Sequence, residues 1–156
     1  MSYRTTPLEE GIKNLYMKLG FTEPQYPIEE LAEKLNIHLS YQKKPILQQR
    51  GTIYLNPHLS SEKQKELFYY ELSHVLPHVG IQLFMPKLFN SLQKHKTSYI
   101  ALHLAIPTFM LQKVNFPLYH EEAIANVANE FKVTTEFSQK RLHEYRNQVN
   151  QNWNIL

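Results

Sequence analysis

The chain contains no cysteine and no aspartate; its 14 acidic residues are all glutamates. Without cysteine there is no disulfide framework and no thiolate metal site. No carboxylate lies between Leu72 and His120, a stretch that carries Lys87, Lys94, Lys96 and Lys113. A membrane-spanning run is also missing. The longest apolar stretch, Tyr99 to Leu111, is broken by His103, Pro107 and Thr108 and is too short to cross a bilayer. Residues 1–20 lack the apolar segment of a secretory leader, because Arg4, Glu9, Glu10 and Lys13 fall inside it. No repeat, low-complexity tract or linker interrupts the chain. These absences lead us to expect a cytoplasmic protein, with no membrane partner.

What is there suits one packed domain over residues 1–156. The chain has 156 residues, of which 42% are apolar and 12% aromatic. That is enough to bury a core without staples. The net charge of +3 and the isoelectric point near 9.0 permit contact with nucleic acid without requiring it.

Local signals order the elements. Thr6-Pro7 followed by Glu9 reads as a capped helix start, and Gly20 as its stop. A second helix is expected from about Pro27 to Leu35. Ile37 to Tyr41 and Gly51 to Leu55 read as strands, with Lys43, Lys44 and Pro45 in the turn between them. Ser61 with Gln64 suggests a capping box for a third helix, which Pro77 ends or kinks. A further helix is expected from Ser91 to Ile106. A closing helical pair, about 120–148, is divided near Lys132-Val133-Thr134. The order implies an α+β chain, mostly helical, with a small sheet.

The segment most suggestive of chemistry is Tyr70-Glu71-Leu72-Ser73-His74, followed by Val75-Leu76-Pro77-His78. Zinc peptidases use H-E-x-x-H on a helix, where two histidines four apart bind one metal and the glutamate activates water. Here the glutamate and the second histidine are in place, and tyrosine stands at the first. Glu-x-x-His alone is a common helical pair. Phe68 and Tyr69 read as core, whereas Tyr70 should share a face with His74. A shifted pair, His74 and His78, with His95 or His103 as third ligand, is the alternative metal set.

The order and spacing of the Gly51–Leu55 strand, the Tyr70–His78 segment and Tyr99 to Leu111 resemble the ImmA/IrrE family of zinc metallopeptidases. Ile106-Pro107-Thr108-Phe109-Met110-Leu111 is similar to a prophage and conjugative-element branch in which this stretch ends Val-Pro-Thr-Phe-Met-Leu. Ala123-Ile124-Ala125-Asn126, Phe131-Lys132-Val133 and Lys140-Arg141-Leu142 resemble the family's closing helices. The resemblance spans roughly residues 8 to 145. It implies a zincin-like fold, for which we expect an antiparallel sheet. It places the first zinc ligand at Tyr70, the catalytic glutamate at Glu71, the second ligand at His74 and the third at Lys94. Tyrosine is a weak ligand and lysine repels a dication, so no bound cofactor is expected.

The expected cleft residues are therefore Tyr70, Glu71, His74, His78 and Lys94, with Lys94 as the cation that pairs Glu71. The family implies action on a helix-turn-helix repressor of a mobile element. The leading expectation is an inactive peptidase-like regulator that binds such a repressor, or another phage or host regulator. One alternative is an active zinc endopeptidase that cleaves it. Another is a DNA-binding regulator using Gln139, Lys140, Arg141, Arg146, Asn147 and Gln148 of the closing pair. Against that stands a hairpin packed through Ile124, Val127, Phe131, Phe137 and Leu142.

Overall fold

The computed structural model describes residues 3–81, 97–114 and 120–153, with only the backbone described for His78 and for residues 150–153. Helix α1, Pro7–Leu19, begins with the reciprocal cap read from the sequence. The Thr6 hydroxyl accepts from the Glu9 amide at 3.2 Å, and the Glu9 carboxylate accepts from the Thr6 amide at 3.4 Å. Gly20 ends the helix with φ +87°, a left-handed conformation suited to glycine. Leu8, Ile12 and Tyr16 form the buried face of α1. Helix α2, Ile28–Lys34, follows and buries Ile28, Leu31 and Ala32.

Strands β1, His38–Ser40, and β2, Thr52–Tyr54, form a two-stranded sheet among the described residues. They run parallel, with His38 opposite Thr52 and Ser40 opposite Tyr54. This corrects the expectation of an antiparallel sheet. A tight turn can join antiparallel strands, but a parallel pair needs about a dozen linking residues to return the chain to the same end. The segment 41–51 is long enough to do this.

Helix α3, Ser61–Val75, packs against β2 and against α4, Thr97–Ala105. Its cap is Ser60, whose hydroxyl accepts from the Lys63 amide, one residue earlier than the sequence suggested. Pro77 lies in a 3-10 turn, Leu76–Val79, that ends at Gly80 with φ +82°. Pro107 separates α4 from the short α5, Thr108–Leu111. The closing pair is α6, His120–Phe131, and α7, Thr135–Trp153.

The core gathers around α3 and α4. Phe68, Tyr69 and Leu72 meet Leu104 and Ile106, together with Ile12, Tyr16, Leu31, Ile53 and Leu55 from the first half of the chain. Val127, Phe131 and Leu142 complete it from α6 and α7, with Ile124 and Phe137 partly buried against it. This is the hairpin packing that the sequence offered as the alternative to a DNA reader. The end of α4 is capped from both sides. The Tyr16 hydroxyl donates to the Leu104 carbonyl at 2.7 Å, and Arg141 Nε donates to the Ile106 carbonyl at 2.9 Å.

Candidate functional site

Helical spacing divides α3 between two surroundings. Phe68, Tyr69 and Leu72 point into the core and are fully buried. Tyr70, Glu71 and His74 point outward, into an open cleft of about 540 Å³ whose opposite wall is Lys44 and residues 48–52. The Tyr70 ring, 42% exposed, stands edge-on to the His74 imidazole, with centroids 5.3 Å apart. The shared face of Tyr70 and His74 is thus the one expected from their spacing.

Glu71 is paired. Its Oε1 lies 3.4 Å from Lys44 Nζ, at the foot of the loop that joins β1 to β2. The ion pair is partly solvated, so it orients the carboxylate more than it stabilises the fold, contributing under about 1 kcal/mol. Sequence reading had placed Lys44 only in a turn. The pair joins residues 27 apart, and no local pattern links them. Lys94 and His95, with the His78 side chain, lie outside the described residues, so the expected Lys94–Glu71 pairing falls there too.

Among the described residues, the donors at the cleft do not make up a catalytic zinc site. Such a site needs three protein ligands and one open position. Among the described residues, no group of three histidine or glutamate side chains is close enough together to hold a metal ion. From the described residues the cleft offers the His74 imidazole, the Tyr70 phenol and the Glu71 carboxylate, which already faces an ammonium.

His103, a candidate third ligand for the shifted pair, is elsewhere. It is fully buried between α1 and α7. Glu144 Oε2 lies 3.0 Å from its Nε2 and Glu9 Oε1 lies 4.0 Å from its Nδ1, although neither contact has the alignment of a hydrogen bond. Burial, then the nearby Arg141 charge, lowers its pKa to about 4, against the pull of Glu144. The site is a structural cluster. Tyr3 donates to Glu9 at 2.7 Å and stacks on Tyr145, and Tyr99 packs on the His103 ring.

The same cluster removes Arg141 from the DNA-contact candidates. Arg141 is fully buried and donates to Thr108 Oγ1 at 2.8 Å and to Glu144 Oε2 at 3.0 Å, besides the Ile106 carbonyl. Lys140 pairs with Glu136 on the surface of α7, and Arg146 contacts His120. Another buried cation, Lys65, escaped sequence reading because lysine is so often exposed. Its Nζ donates to the Phe131 carbonyl at 2.5 Å, at the end of α6. Burial, then the nearby Lys132 charge, lowers its pKa to about 8.

Residues 26–143 match the profile of a peptidase family described as the IrrE N-terminal-like domain. The chain is 39% identical over 140 residues to the phage-like element PBSX protein XkdA of Bacillus subtilis (strain 168), covering 86% of this chain and 71% of that protein. It is 37% identical over 158 residues to the uncharacterized protein YqaB of the same organism, covering 97% of this chain and 91% of the relative. No solved structure matches. The chain therefore belongs to the ImmA/IrrE family, as a peptidase-like member with a relative in a phage-like element.

Proposed function

We propose that this chain is a catalytically silent member of its family, which regulates a phage or mobile-element regulatory protein by holding a segment of it in the cleft beside α3. The observation that carries this reading is the pairing of Glu71 with Lys44. A general base must take a proton from metal-bound water. This carboxylate instead faces an ammonium, and a phenol stands at the first ligand position. The cleft itself remains open and has the size of a small-ligand or peptide-segment site. The phage-like relative supports a partner of mobile-element origin.

Elemental analysis of protein purified without chelator tests the reading. We expect zinc well below stoichiometric. Stoichiometric zinc that is lost in His74→Ala but kept in Glu71→Ala overturns it and favours a second reading, an active zinc endopeptidase. That second reading draws on Glu71 and His74, which lie on the same wall of the cleft.

A further inference from the structure

The loop between β1 and β2 carries at its tip two aliphatic side chains that pack on none of the described residues. Ile46 is 101% and Leu47 is 89% exposed, the highest values among the large hydrophobic residues described. Two adjacent aliphatic side chains, both almost wholly in water, form a small contiguous apolar patch at the tip of one loop. The arms of the loop are held. On one side, the Tyr41 hydroxyl donates to the Glu29 carboxylate and Lys44 pairs with Glu71. On the other, the Gln49 amide donates to the Tyr54 hydroxyl at 2.9 Å. The tip is therefore presented on anchored arms, which reduces the entropy lost on binding.

Charge indicates what the tip meets. No carboxylate occurs between Glu33 and Glu62, whereas Lys43 and Arg50 flank the tip, beside Lys44, whose ammonium is shared with Glu71. We propose that Ile46 and Leu47 form a docking finger for a polypeptide that is acidic and offers a large apolar group or pocket. Lys44 and Arg50 also line the cleft, so one partner can engage the finger and continue past Glu71. This deepens the reading of the cleft as a peptide site and rests on it for the direction the partner takes. A second copy of the chain is a poorer fit. Its apolar groove, lined by Leu59, Leu67, Leu102 and Phe137, carries Lys63 and Lys140 against the single carboxylate Glu66, and so lacks the acidic surround that the basic arms of the finger call for. A flat bilayer could meet the tip but could not follow the surface down into the cleft.

The test uses a displayed random peptide library, selected on the full chain. We expect selected peptides to be acidic and to carry a large apolar residue. Their affinity should fall at least about tenfold for Ile46→Ser/Leu47→Ser and for Lys43→Glu/Lys44→Glu. Ile46 and Leu47 are fully solvated, so the serine variant should keep the wild-type circular dichroism and melting curve. No selection, selection of neutral or basic peptides, or equal binding by the serine variant overturns the finger. So does self-association dispersed by the serine variant. So does finger-dependent binding to vesicles of equal parts phosphatidylcholine and phosphatidylserine, with peptide binding unchanged. Tyr70→Ala and His74→Ala separate the two readings. Peptides lost by the finger variant but kept by these leave the finger standing and reject the cleft, whereas the converse rejects the finger alone.

Discussion

His103 has a larger expected effect on stability than any residue of the cleft. In the unfolded chain it titrates near its ordinary value, and in the fold at about 4. Between those values the unfolded chain binds more protons, so this contribution is complete above the unfolded value and is lost as pH falls toward the folded one. Going from about pH 7.5 to about pH 5 should remove about 2 kcal/mol from the unfolding free energy. Glu9 acts in the opposite sense. Burial raises its pKa, so its contribution declines as pH rises, and it reduces the observed loss. Glu144, held low through His103 and Arg141 despite its burial, acts only below the ordinary carboxylate range. Urea titrations at the two pH values check the sum, and His103→Leu should flatten the difference. Lys65 makes a complementary prediction. Its folded pKa of about 8 lies below the unfolded value of 10.5, so stability should rise with pH through that window. The rise should stop where the buried tyrosines Tyr16 and Tyr69, whose folded pKa values are raised, begin to ionise in the unfolded chain alone. Lys65→Met should abolish the rise between about pH 8 and pH 10.

Among the elements, the α6–α7 hairpin is held by core packing. Phe131, buried at the end of α6, should cost roughly 3–5 kcal/mol when replaced by alanine, read as a lower urea midpoint with unchanged slope. Thr6→Ala, which removes one half of the α1 cap, should cost only about 1 kcal/mol. The ends of α1, both strands, the Pro77 break and the hairpin were legible because each depends on residues a few positions apart. Strand direction was not, because it depends on where the chain travels between Tyr41 and Gly51. The outward face of Tyr70 and His74 followed from helical spacing alone. The cation beside Glu71 did not, since Lys44 comes from a loop distant in sequence. Arg141 was misread for the same reason. Its hydrogen-bond acceptors lie at Ile106, Thr108 and Glu144, and only the last is near it in sequence.

At the scale of the molecule, α1 and α7 grip the same structure from opposite ends of the chain. Tyr3 reaches Glu9 and Tyr145, and Arg141 reaches past α5. Tyr3→Ala should open the approach to Glu9 and His103, read as faster amide exchange at the start of α1 with α3 left protected. The carbonyls at the end of α4 sharpen the point. One takes its hydrogen from Tyr16 and the other from Arg141, residues separated by most of the sequence. During synthesis the first donor exists long before α4 is made, but the second emerges from the ribosome tunnel only after α6. A nascent chain stalled before Arg141 would hold α1 against α4 with one buried carbonyl unanswered, and it should remain open to protease. Protection should therefore rise most when the segment that carries Arg141 joins the fold, since it brings the later of the two donors.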